Sequence, residues 1–224
     1  TLSYLGLPGP KLLDVLTWRE FIGAWTAVQV VDTVEAQDDA AELELNVNRE
    51  NLERDFLFVK GDIDDFIIQD ANKPDTDQRN LRWPYQLVNL DYIGGLVYRR
   101  RDVTSKHIEA IKSVIDIQRN HPFLLFLTLN LRDKDKGELE EWVQAIEGEL
   151  VAAKYENVAD RFDAHRQLKN AGLLKIYVPS IIEAHARHHE FRFYPPVLYH
   201  GSKQMLHFVV EFIVVRDVVD EADA

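Results

Sequence analysis

The sequence predicts an α/β fold: a doubly wound, mostly parallel sheet of seven strands, with helices on both faces and an antiparallel β-hairpin at the C-terminus. Three observations carry this. Short apolar runs rich in β-branched and aromatic residues alternate with longer amphipathic segments, the order of a parallel sheet flanked by helices. One run, residues 123–129, is apolar on both faces, as a central strand covered from both sides must be. The last two runs are joined by Gly201-Ser202-Lys203, which has the turn chemistry of a hairpin.

The elements follow in order. A strand over residues 2–7 is broken by Gly6, Pro8, Gly9 and Pro10, and a helix over 11–22 carries Leu12, Leu13, Leu16 and Phe21 as its apolar positions. A second strand covers 27–31. The helix after it, over 36–52, has Ala40, Ala41, Leu43, Leu45 and Val47, which do not share one face. A third strand over 55–59 runs into Lys60-Gly61-Asp62, and the polar stretch 72–80 reads as a loop. A fourth strand over 85–90 ends in Asp91-Tyr92-Ile93-Gly94-Gly95. A helix over 105–120 turns Ile108, Ile111, Val114 and Ile115 inward, and Pro122 restarts the chain as the fifth strand. Beyond it come helices over 138–150 and 158–171, a short strand over 173–178 opened by Gly172, and a helical piece over 181–186. The closing strands cover 190–194, extending toward Leu198, and 205–215. Residues 1–216 thus make one domain, and 217–224 form an acidic tail.

At 224 residues the chain is long enough for one full core, and 46% hydrophobic with 29% charged residues argues against both disorder and a fibre. A formal net charge of −12 repels phosphate backbones at long range. A nucleic-acid binder of this composition therefore needs a local basic patch; a small molecule or a protein partner needs none. With no cysteine, a disulfide scaffold, a cysteine zinc site, an iron–sulfur cluster and a thiol nucleophile are excluded, and a cytoplasmic location fits. No apolar run reaches the roughly 18 residues that span a bilayer, so no membrane association is expected. The start at Thr1 rather than Met implies that residues precede it.

In open α/β sheets, ligands bind beyond the carboxyl ends of the strands. At those ends this sequence places Leu5-Gly6-Leu7-Pro8-Gly9-Pro10, then Asp32-Thr33-Val34-Glu35, then Gly61-Asp62-Ile63-Asp64-Asp65-Phe66, then Val88-Asn89-Leu90-Asp91-Tyr92. Together with the five strand–helix units and the hairpin, these segments resemble the class I S-adenosylmethionine-dependent methyltransferases over residues 2–215. The resemblance implies a cofactor, S-adenosylmethionine, bordered by Leu5, Gly6, Leu7, Pro8 and Gly9, where glycine lets the backbone come close. The loop departs from the family in lacking a preceding acid and a Gly-x-Gly core. Asp32 or Glu35 is implied to accept the ribose hydroxyls, while the other caps the next helix. Asp62 is implied to receive the adenine amino group with Ile63 packed on the ring, and Asn89 to border the cofactor; the competing role at the third strand is helix capping by Asp64 or Asp65.

The fourth segment resembles the Asp-Pro-Phe-Gly form of some tRNA guanine methyltransferases, which implies that Asp91 holds the substrate amine and Tyr92 stacks on its ring. The alternative there is an Asp91 bonded to turn amides and a Tyr92 in the core. The implied function is methyl transfer to a nitrogen of a nucleic acid or a small molecule. A catalytically inactive methyltransferase-like interaction module or assembly subunit is the alternative, suggested by the prolines of the first loop, and a protein partner or homo-oligomer is compatible with either.

Arg99, Arg100 and Arg101 are candidates for gripping substrate phosphates, or form a solvated loop that pairs with the excess carboxylates. His185 and His189 have the i, i+4 spacing of metal ligands, but no third ligand is marked, so no metal site is expected. His200 and His207 read as ordinary strand-end residues. Neither a P-loop nor a Gly-x-Ser-x-Gly elbow is present.

Overall fold

A computed structural model describes residues 2–7, 11, 13–29, 34–50, 56–73, 79–92, 106–130, 170–200 and 204–215. Strand β1 (Leu2–Gly6) pairs in parallel with β2 (Ile22–Gln29) on one side and with β4 (Leu87–Tyr92) on the other. β3 (Phe56–Lys60) continues the parallel sheet beyond β2, and β5 (Phe123–Asn130) continues it beyond β4. β8 (Gln204–Val214) lies antiparallel to β5, and both β6 (His189–Phe193) and β7 (Val197–His200) pair antiparallel with β8. Eight strands therefore fill the order β3-β2-β1-β4-β5-β8-β6, with β7 pairing along β8 after β6 ends. The expected single strand through Leu198 is split because Pro195 and Pro196 have no N–H to give the ladder.

Successive side chains of a strand face opposite sides, and β1 shows what each side buries. Tyr4 joins Trp25, Ala27 and Leu87 under Val15 of α1 (Leu13–Trp18) and Leu43 and Val47 of α2 (Val34–Arg49). Leu5 joins Val28, Val88, Leu90 and Leu125 under the other helices. Those are α3 (Ile63–Ala71), α4 (Lys106–Ile117) and α5 (Asn170–His185). Ile108, Ile111, Val114 and Ile115 of α4 are buried, as their spacing predicts. The sheet is doubly wound, as expected from the sequence.

Three local expectations are corrected. The first helix stops at Trp18 and β2 begins at Ile22, so Phe21 is 64% exposed rather than inward. Gly23 is a poor helix residue, and the Phe21 carbonyl accepts from the Leu2 N–H, which ties this stretch to the sheet. The strand expected over 173–178 is the interior of α5. Leu174, Tyr177, Val178, Ile181 and Ile182 are all buried, and their spacing is that of one helix face. His185 ends that helix and His189 begins β6, so the two do not share a helix face; among the described residues no three potential ligands gather to hold a metal. The helix expected over 138–150, residues 158–169 of the helix expected over 158–171, residues 74–78 of the loop expected over 72–80 and the tail 217–224 lie outside the described residues.

The chain between α3 and β4 is fastened from inside. Buried Asp70 accepts from the Asn80 and Leu81 N–H groups at 2.8 and 2.9 Å and from the Trp83 indole at 3.1 Å. The Tyr85 hydroxyl donates to Thr26 Oγ1 at 2.9 Å, and burial pushes its pKa up to about 12.

Gly61 links β3 to α3 at φ +150°, and a Cβ there would stand 2.7 Å from the Phe66 ring. Gly61→Ala should therefore lower stability by about 1–3 kcal/mol in a urea melt. His189 is buried between Phe123 and Phe212, and its Nε2–H donates to the carbonyls of Gln118 and His121. Burial lowers its pKa from 6.5. The neutral form is the one the fold favours, so this stabilisation is present above the unfolded pKa and is lost as pH falls through the lower folded one. Urea midpoints from pH 7.5 to 5 should fall more steeply for the native chain than for His189→Gln.

Candidate functional site at the carboxyl rim

Gly6, the last residue of β1, lies opposite Ala27 of β2 and Asn89 of β4. The helices leaving β1 and β2 cover one face, and those leaving β3 and β4 cover the other. The strand order thus reverses between β1 and β4, the switch point at which open α/β sheets bind their ligands.

The described residues place the expected site groups as follows. Leu5 is fully buried in the core, and Leu7 packs against the same core. Packing already requires a small residue at Gly6: a Cβ there would meet the Tyr4 hydroxyl at 2.3 Å. That hydroxyl accepts a hydrogen bond from Asn89 Nδ2 at 3.1 Å, so Asn89 is tied to the end of β1. Glu35 lies in the first turn of α2. Pro8, Gly9, Asp32, Arg99, Arg100 and Arg101 lie outside the described residues.

The third-strand segment is the best defined. Capping of α3 falls to Asp62, not to Asp64 or Asp65: its Oδ1 accepts from the Asp64 N–H at 2.9 Å. Its Oδ2 receives Lys106 Nζ at 2.9 Å, and the same ammonium reaches Asp65 at 2.8 Å. Burial of Lys106 opposes its charge, but the pairs with Asp65 and Asp62 outweigh this and raise its pKa. Ile63 is 3% exposed and packs into the core, so its side chain has almost no surface to offer an adenine ring.

Asp91 and Tyr92 point to opposite sides of β4, as neighbours on a strand must. Asp91 is exposed and pairs in register with Thr128, whose neighbour on β8 is His207. His207 Nδ1 lies 2.9 Å from Thr128 Oγ1, and burial lowers the His207 pKa. His207 is thus a mid-strand residue beside the Asp91 row. On β7, burial and then the Asp91 charge raise the pKa of the Tyr199 hydroxyl.

Tyr92 is 4% exposed, in the core, where it cannot stack on a substrate. Its hydroxyl donates to Asp64 Oδ1 at 2.7 Å, while His107 Nδ1 contacts Asp64 Oδ2. The Tyr92 and His107 rings lie 4.0 Å apart and tilted by 30°. Burial, followed by the Asp64 charge, raises the Tyr92 pKa well above its ordinary value. Sequence reasoning singled out neither Lys106 nor His107. The available signal was a basic pair heading one helix and three acids at the head of the previous one.

A hollow of about 230 Å³ lined by Lys11, Leu16, Glu42, Asn46, Arg49 and Glu50 lies on α1 and α2 and includes none of the expected site residues.

Strand order and terminal antiparallel strands are together those of the class I methyltransferase fold. An rRNA methylase of Streptococcus thermophilus matches with a TM-score of 0.51 at 10% identity, over 96% of this chain and 88% of that one. A Clostridium thermocellum protein assigned to the rRNA methylases matches at 0.50 and 8% identity, over 95% and 87%. A Streptococcus pneumoniae protein assigned as a tRNA (m1A22) methyltransferase, solved with S-adenosyl-L-methionine, matches at 0.43 and 13% identity over 95% of this chain, which spans 66% of that one. No curated protein matches in sequence. More narrowly, residues 1–176 match the PP_RS20740-like family, and the chain belongs to it.

The two kinds of partner at the heads of α3 and α4 should separate in a urea melt. Tyr92→Phe removes a hydrogen bond to a buried carboxylate and should cost about 1.5–3 kcal/mol. Lys106→Met removes ion pairs that face water and should cost less than about 1 kcal/mol.

Proposed function

We propose that this chain is an S-adenosylmethionine-dependent methyltransferase whose cofactor lies across the crevice at the ends of β1 and β4. The observation that carries the reading is a part-exposed carboxylate, Asp62, at the head of α3 on the rim where the strand order reverses. Each Asp62 oxygen already has one partner, and a carboxylate oxygen accepts two. The residue therefore fits an adenine amino group without giving up its cap. Asp32 or Glu35 would accept the ribose hydroxyls, and the backbone of residues 5–9 would border the methionyl portion. The cofactor supplies the electrophilic methyl group. The chain would orient the acceptor nitrogen through Asp91 and exclude water.

As acceptor we favour a small molecule, because a net charge of −12 repels phosphate backbones. A nucleic acid would depend on Arg99, Arg100 and Arg101 to offset that charge. No helix among the described residues is long and apolar enough to cross a membrane, and a cytoplasmic setting is part of this proposal.

The second reading is an inactive relative that serves as an interaction module. It is favoured by the Tyr4 phenol filling the space at Gly6 and by the burial of Ile63.

Isothermal titration with S-adenosylhomocysteine decides between them. The native chain should bind, and Asp62→Asn, which keeps a capping oxygen but places an amide where the acceptor was, should bind about 1–3 kcal/mol more weakly. Absence of binding by the native chain leaves only the interaction module.

A further inference from the structure

The side chains of Asp64, Tyr92 and His107 come from three different elements and meet at the heads of α3 and α4. Asp64 is 1% exposed, and its two oxygens take the Tyr92 hydroxyl and His107 Nδ1. An ionised carboxylate only accepts, so the Asp64 contact fixes the proton of a neutral His107 on Nδ1. That leaves the Nε2 lone pair as an acceptor. Tyr92 fixes the plane of the ring by packing against it. The two ring nitrogens point away from one another, so an Nδ1 held on a buried carboxylate sends Nε2 outward; the His107 side chain is 21% exposed. Nε2 has no hydrogen-bond partner among the described residues. Lys106, one residue earlier, holds Asp62, the carboxylate assigned to the adenine amino group.

We infer that His107 is a ligand-contacting residue of the crevice, whose Nε2 accepts a hydrogen bond from an N–H or O–H of a bound adenosyl group. The inference rests on the methyltransferase reading and adds to it a residue that no motif marks. The charged and titratable groups around the ring are Asp62, Asp64 and Asp65 from α3, Tyr92 from β4, and Lys106 and Glu109 from α4. The test must therefore isolate His107 from the carboxylates.

Titration of the native chain, His107→Gln and His107→Ala with S-adenosylhomocysteine at pH 8 does this. Glutamine can present a non-titrating oxygen near the position of Nε2. At pH 8 the alanine variant should bind roughly tenfold more weakly, the scale of one lost hydrogen bond, and glutamine should restore part of the loss. In the native chain, the ¹⁵N resonance of His107 Nε2 should move on adding S-adenosylhomocysteine, a readout that does not depend on how a variant folds. Native binding with an unmoved Nε2 resonance and the same affinity in all three proteins overturns the inference and leaves the methyltransferase reading standing. No binding by the native chain overturns both.

Discussion

Both edges of β1 are occupied by parallel partners, and the arrangement of the rim follows from that constraint. Parallel neighbours need long crossover connections, and those crossovers keep one hand. The chain therefore leaves β1 toward β2 over one face and returns from β3 to β4 over the other. α1 and α2 cover the Tyr4 side, and α3 and α4 the Leu5 side. The helices that follow β1 and β4 lie on opposite faces of the sheet. Core packing alone thus creates a place where a ligand can meet backbone and side chains from both halves of the sheet.

The Leu5 side of this rim is held by a buried charge, which sets it apart from a surface ion-pair network. An ionised carboxylate out of water is costly unless its lone pairs are satisfied. Asp64 meets that condition only with β4 and α4 both in place, because Tyr92 comes from one and His107 from the other. The Lys106 pairs lie nearer to water, with that side chain 39% exposed, and add less per contact. The interior contact positions the two helix heads, and the exterior one tunes the field at Asp62. Rigid placement of Asp62 then results from stability rather than from any contact with a ligand.

The strand sequence and the double winding were legible because apolar runs report burial on both faces; β5 and the inward face of α4 fell where that signal put them, and β4 fell two residues later, taking in Asp91 and Tyr92. Legibility failed where composition and context disagree. Gly172 and Pro179 bracket a stretch of leucine, isoleucine, tyrosine and valine that reads as a strand, yet its buried positions follow a helical stripe. Asp91 and Tyr92 were assigned jointly to a substrate, although alternation sends one to the rim and the other into the core. His107 and His207 were missed as bonded groups because their partners are 43 and 79 residues away in the chain. No local pattern encodes such pairs; only the assembled sheet and its helices bring them together.

The first loop shows how a departure from a family pattern acquires a physical meaning. A glycine at the end of β1 suggests room for a ligand, but at Gly6 that room is taken by the phenol of Tyr4, which also holds Asn89. On that face the junction of β1 and β4 is therefore filled by protein atoms. On the opposite face, the described polar groups beside the junction are Asp62, the Lys106 ammonium and the outward edge of His107. An adenosyl group in the crevice would be directed to this second side by what the first side already contains, with Asp91 left on the first side for the acceptor. On the methyltransferase reading proposed above, the crevice would be asymmetric, with recognition concentrated at the heads of α3 and α4 and depending more on Asp62 and His107 than on the glycines of the first loop.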